Sequence, residues 1–216
     1  MCGFSGFFTL ENLDYQGTLK KITECIHHRG PDDTKYLIDK KNNFYAGFKR
    51  LSIIDLSNNG SQPMQSFDKR FTILFNGEIY NFKEIRKNLL SKGYKFKTNS
   101  DTEVLLKNFI HKKFEAFNDF EGMWSIAIWN DNSKELILSS DRFGQKPLFY
   151  FHNGYEFYFG SQINQIFELS HFSFTFNKKK INDYLGSGYR VIFKDNETFF
   201  KKIKHFPSSH YAIIKN

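Results

Sequence analysis

Cysteine stands directly behind the initiator methionine, in MCGFSGFF. Removal of Met1 leaves Cys2 with a thiol and a free α-amine on one residue. Their ordinary pKa values, about 8.5 and about 8, are matched closely enough for the amine to take the thiol proton as sulfur attacks a carbonyl. Cys2 is therefore a candidate nucleophile that carries its own base. Five polar clusters follow, and each has a structural explanation when taken singly. HHRGPDD (27–33) is a turn that ends a helix at Gly30-Pro31. Arg50, in KRLSIID, sits at the end of a strand, where a surface role serves as well as a functional one. FNGEIYN (75–81) places Asn76, Gly77 and Glu78 where an Asn-Gly hairpin turn would form. SDTEVLL (100–106) is a helix start with Ser100 or Asp101 as N-cap. SDRFGQKPLFY (140–150) is a loop between strands. The second cysteine, Cys25, shares a helical face with Leu19, Ile22 and Ile26 and is expected to pack in the core.

The elements that must hold these groups alternate between strand and helix patterns. Residues 2–9 predict a strand, 17–28 a helix, and 43–55 a strand pair around a turn. Residues 70–81 predict a strand running into a turn, followed by helices over 82–92 and 101–113. MWSIAIWN, ELILSSD, PLFYFHN and YEFYFGS then form a meander of short strands with Gly, Asn and Asp at the joints. Strands before and after a few helices, without strict βαβ alternation, predict an α+β protein with antiparallel sheets.

Composition bounds the function. A chain of 216 residues with 40% apolar content can bury a core, and 27 Phe and 11 Tyr supply an unusual share of it. The net charge is +8, but the 31 basic residues are mostly scattered. NKKK (177–180) and FKKIK (200–204) read as solvated surface, and no aromatic-interleaved basic motif points to nucleic acid. The N-terminus lacks the basic and long apolar regions of a signal peptide. No apolar run reaches the roughly 20 residues of a membrane span. Two cysteines are too few for a disulfide framework, so a cytoplasmic location is expected.

In order along the chain, CGxxG, HRGPD, RLSIID, FNGEIYN, SDTEVLL, FEGMWSIAIWN and DRFGQKPLFY closely resemble the glutamine amidotransferase domain of glutamine-hydrolysing asparagine synthetases, among the N-terminal nucleophile hydrolases. The resemblance is specific from Cys2 to about residue 169 and looser to residue 216. It implies a four-layer αββα sandwich of two antiparallel sheets, with Cys2 at the end of an inner strand. It also implies that Cys2 releases ammonia from L-glutamine through a γ-glutamyl thioester, for use by an amide- or amine-forming synthetase.

Within that resemblance the single clusters become parts of one site. Asn76 and the Gly77 N–H are the expected oxyanion donors, and Arg50 is the expected fork for the glutamine α-carboxylate. Asp101 and Glu78 are expected to receive the α-ammonium, and Leu51 and Ile53 of RLSIID to line the substrate. An intact set argues against a decayed regulatory module, and an Arg with an Asp placed for a zwitterion argues against a different amide substrate. No metal or cofactor is expected in this chain. ATP and Mg²⁺ belong to the synthetase half, whose Gly-rich SGGxDS-type phosphate loop is absent here. The expected division is a glutaminase domain over 1–180 and a connector over 181–216, as in either a truncated chain or a stand-alone glutaminase subunit; a homodimer is left open. Pro207-Ser208 stands where the family usually has Pro-Gly, Gln162 and Asn164 where it has Glu and Lys, and Ser140 where Arg is common. These departures bear on ammonia transfer and leave the thiol site intact.

Overall fold

GFSGFF is apolar on both faces, since Phe4 and Phe8 point one way and Phe7 the other, and all three are buried. A strand of that kind needs a packed layer on each side. The computed structural model, which describes residues 2–9, 15–168, 173–191 and 194–215, supplies both. One antiparallel sheet of six strands contains β1 (Gly3–Phe8), β2 (Asp33–Asp39) and β3 (Phe44–Arg50). The other has five and contains β4 (Met64–Gln65), β5 (Phe71–Ile79), β6 (Gly122–Asn130) and β7 (Glu135–Ser140). Strands β8 (Phe149–His152) and β9 (Phe157–Gly160) return to the first sheet, beside β10 (Ile203–His205); β11 (Tyr211–Lys215) borders the second. The strand orders are β10-β8-β9-β1-β3-β2 and β11-β7-β6-β5-β4.

Period-two alternation sorts the side chains into three cores. Phe4, Phe8, Phe44 and Phe48 meet Leu74, Trp129 and Leu138 between the sheets. The Phe44 ring stacks on Trp129 with centroids 4.4 Å apart, tying one sheet to the other. The opposite face of the first sheet, with Phe7 and Tyr45, packs on Leu19 and Ile22 of α1 (Gln16–Glu24) and Ile166 of α5 (Ile163–Phe167). The outer face of the second, with Ile73 and Phe75, packs on α2 (Phe82–Ser91), α3 (Asp101–Lys112) and α4 (Ala116–Asp119). The order helix, sheet, sheet, helix is the expected αββα sandwich. After α6 (Lys178–Ser187), β10 pairs with β8 and β11 with β7, so residues 203–215 add an edge strand to each sheet.

Four local expectations change. The expected meander is divided, with β6 and β7 paired in the second sheet and β8 and β9 in the first. Residues 43–55 form one strand instead of a pair, because the chain after Arg50 folds back around that side chain. Its guanidinium donates to the backbone oxygens of Asp55 and Ser57. The Asn76-Gly77 pair is no hairpin turn: β5 runs through it, with Asn76 opposite Ser125 and Gly77 opposite Trp124. The helix expected over 17–28 ends at Glu24, with a separate 3₁₀ turn at His27–Arg29. Among the described residues no helix is long and apolar enough to cross a membrane.

Candidate active site

Alternation also places the reactive groups. Cys2 and Arg50 lie one residue beyond the Gly3–Lys49 pairing of β1 with β3. By parity Cys2 follows Phe4, Arg50 follows Phe48 and Asn76 follows Leu74, all toward the space between the sheets. β1 begins at this end of the sandwich while β3 and β5 finish there. The aromatic filling gives way to a cleft of about 210 Å³ bordered by Cys2, Arg50, Asn76, Gly77, Asp101 and Lys146. Glu78, Leu51 and Ile53 border it too, so all the sequence-selected residues come together. Ile53 stands at the mouth, 70% exposed.

The thiol is held by the backbone. Leu51 N–H donates to Cys2 Sγ at 3.3 Å, and the sulfur lies 3.4 Å from the Leu51 oxygen, which accepts its proton. Burial pushes the thiol pKa upward, opposed by the Leu51 N–H and by the Arg50 cation. A standing thiolate is therefore disfavoured, and attack needs a base at the sulfur. Arg29 Nε donates to the Cys2 carbonyl at 3.0 Å. With the Asn76 amide oriented to satisfy both neighbours, its nitrogen donates to the same carbonyl at 2.9 Å and its oxygen accepts from Arg29 at 3.3 Å. An amide nitrogen has two N–H donors. One held by Cys2 leaves one for a substrate oxygen.

The Gly77 N–H is a second donor by elimination. Successive residues of an antiparallel strand direct their N–H and C=O to opposite edges. Trp124 directs both groups to the loop after β7, donating to Asp141 Oδ2 and accepting from Asp141 N. Its neighbour Ser125 therefore faces Asn76, and Gly77 faces away from β6, as do Phe75 and Ile79. The Gln62 side chain takes both backbone groups of Phe75, at 2.6 and 3.2 Å. Asp101 Oδ2 accepts from Ile79 N–H at 3.2 Å. Between those two side chains the Gly77 N–H points past the short β4 into the cleft. Glycine is required here because a Cβ would lie 2.2 Å from the Met123 oxygen and 2.7 Å from Trp124 Cα.

Opposite charges also border the cleft. Arg50 is buried, with its guanidinium anchored on Ser57 O and on Ser61 Oγ, and with Gly60 packed against it. Asp101 is 5% exposed, and Ser100, not Asp101, caps α3 by accepting from Thr102 N–H at 3.1 Å. Burial raises the Asp101 carboxyl to about 6, against the backbone N–H of Ile79. A thiol, an oxyanion-sized pair of donors, a cation and a carboxylate thus share one small cleft.

The chain matches the glutamine amidotransferase domain family across residues 1–216. It belongs to that family. Two asparagine synthetases [glutamine-hydrolyzing] of Bacillus subtilis (strain 168) are similar to it, numbers 1 and 2, at 38% and 39% identity over 99% of this chain. The chain spans about a third of their length, 33% and 29%. Among solved structures, the glutamine phosphoribosylpyrophosphate amidotransferase of B. subtilis, complexed with ADP and GMP, superposes with a TM-score of 0.65 at 17% identity. That match covers 76% of this chain and 43% of the other, and it carries the fold.

Within this amidotransferase domain, sequence reasoning overlooked three residues that the structure brings to the site. Arg29 sits in HHRGPDD, read as a turn, yet it holds both the Cys2 carbonyl and Asn76. Gln62 carried no motif, although a polar residue before Pro63 that satisfies a strand edge leaves little trace in one sequence. Lys146 sits in DRFGQKPL, read as a loop. Of the departures from the family pattern, Gln162 forms a capping box with Gln165 at the start of α5, and Ser140 is buried at the end of β7.

Proposed function

We propose that this chain hydrolyses the side-chain amide of L-glutamine and delivers ammonia to a synthetase domain or subunit. The observation that supports it best is the shared cleft: thiol, oxyanion donors, Arg50 and Asp101 border one small volume. With Met1 removed, the Cys2 α-amine takes the thiol proton as sulfur attacks the amide carbon. Asn76 Nδ2 and Gly77 N–H hold the oxygen that gains charge. The amine returns that proton to the departing nitrogen, the C–N bond breaks, and ammonia leaves a γ-glutamyl thioester on Cys2. A water molecule, deprotonated by the same amine, attacks the thioester; the C–S bond breaks, sulfur regains a proton and glutamate is released. Hydrolysis as proposed uses no metal or cofactor of this chain. ATP and Mg²⁺ would act in the synthetase partner, whose acceptor is aspartate if the chain serves asparagine biosynthesis. Glutamate release by the purified chain, with its N-terminal residue established by mass spectrometry, tests the proposal; a Met1-free protein that releases none refutes it.

Two predictions concern substrate capture. Arg50→Lys keeps a cation but loses the bidentate fork, so KM for glutamine should rise about tenfold or more, the scale of one charge-assisted hydrogen bond, with kcat changing less. Unchanged KM removes Arg50 from the carboxylate role. For Asp101 the handle is pH. Its folded-state carboxyl titrates near 6. Below that pH it is neutral and gives an α-ammonium no counter-charge, so KM should climb as pH falls through about 6. Asp101→Asn should have a high KM without that limb. Stability has the opposite sense: the raised value means the fold binds this proton more tightly than the unfolded chain. The resulting stabilisation is present below about 4, the ordinary carboxylate value, and is lost as pH rises through the folded value. Relative to wild type, the Tm of Asp101→Asn should therefore be higher at pH 7 than at pH 4, as thermal melts would show.

A further inference from the structure

The loop after β7 is built around one side chain. Asp141, fully buried, accepts backbone N–H groups from Trp124, Phe143, Gln145 and Lys146 at 2.9–3.1 Å. Its carboxylate is thereby committed to the path of the loop, and Asp141 N and O bonds close the turn onto Trp124, Gly144 and Ser209. That path ends with Lys146 in the wall of the cleft that Cys2, Asn76 and Gly77 also border, with 6% of its surface exposed and within electrostatic reach of Cys2. Lysine is rarely buried to this extent.

We propose that Lys146 is an electrostatic partner of Cys2: its ammonium stabilises the thiolate that attacks the substrate, acting through the sulfur and making no demand on glutamine itself. The inference rests on the glutaminase reading only for the identity of the substrate. A buried cation beside an ionising thiol favours the charged form, as an opposite charge does for any acid. The remaining charges around Cys2 come from every element at this end. Arg29 touches its carbonyl, and the N-terminal ammonium and Arg50 from β3 are further favourable cations. Asp101 from α3 opposes ionisation, and Glu78 from β5 borders the cleft. Burial and the Arg29 cation hold the Lys146 ammonium below its ordinary range, while Glu78, Cys2 and Asp141 draw it back up. Cys2 is thus among the charges that act on this ammonium.

The test reads the thiol directly, in a Cys25→Ala background where Cys2 is the sole cysteine. The rate of iodoacetamide alkylation is followed against pH in wild type, Lys146→Met, Lys146→Gln and Lys146→Arg. Both neutral variants should titrate about one pH unit higher, the low end of what one nearby charge does, and alkylation at pH 7 should slow about tenfold. Lys146→Arg should titrate with the parent. The acidic limb of kcat/KM should move in the same direction while KM stays near its starting value. The proposal is overturned if a folded neutral variant titrates with wild type, or if Lys146→Arg shifts as far as Lys146→Met. Since alkylation needs no glutamine, a shifted thiol in a chain that releases no glutamate would refute the glutaminase reading and leave this inference standing.

Discussion

Cys2→Ala is expected to lower glutamate release below detection, at least about 10⁴-fold, because a residue that acts as nucleophile has no substitute in the cleft. Cys25→Ala should keep turnover. Cys25 lies beyond the end of α1, with its sulfur 3.2 Å from the Ile22 oxygen and its pKa pushed up to about 11 by burial and by Glu168. A thiol in that state is inert. Cys2 is also raised by burial, yet it borders a cleft together with Arg50 and Lys146. What separates the two is therefore a base and a place for substrate, more than intrinsic acidity. The same argument makes activity depend on Met1. While Met1 is attached, the nitrogen of Cys2 is an amide and takes no proton, so a chain that retains it should be as inactive as Cys2→Ala. Turnover by a Met1-retaining chain would remove the amine from the mechanism, and equal loss in Cys2→Ala and Cys25→Ala would reassign the nucleophile.

The architecture was legible where side-chain period reports burial. GFSGFF and TILFN have apolar residues on both faces, and both strands are packed on both sides, although the sandwich of two sheets was implied only by the family resemblance. The helices at 82–91 and 101–112 lie within a residue or so of their expected bounds. Local turn chemistry misled at Asn76-Gly77, because Asn-Gly favours a hairpin in isolation whereas β6 supplies nine paired residues against β5. Glycine answers a steric demand there, the approach of the Met123 carbonyl, and that demand belongs to a residue far along the chain. The selected polar residues of the cleft were found because their motifs keep a family's order. Arg29 and Gln62 were passed over for the complementary reason. Each binds main-chain atoms of other elements, and those contacts exist only after the sandwich closes.

Asn76→Ala should lower kcat by about 10² to 10³, the usual loss when one oxyanion donor is removed, with a much smaller change in KM. Asn76→Asp decides whether that loss is electrostatic. The side chain is 1% exposed, faces the space between the sheets and sits in the middle of a paired strand. No turn propensity is at stake, so a kinetic defect is not explained by a reshaped backbone. The aspartate would lie 3.3 Å from the Arg29 guanidinium, in the place of the amide oxygen, and that ion pair should hold the fold. Its other oxygen would replace a donor with an acceptor where the amide nitrogen now faces the Cys2 carbonyl, 2.9 Å away. Negative charge then stands where the tetrahedral intermediate must accumulate its own, and the Gly77 N–H is left to stabilise it alone. The expected protein melts near the wild-type temperature, binds glutamine and is nearly inactive, with a deeper loss in kcat than Asn76→Ala. A folded Asn76→Asp chain with near wild-type kcat would place the oxyanion elsewhere, and the Asn76-Gly77 pair would then serve only to pack β5 against β6.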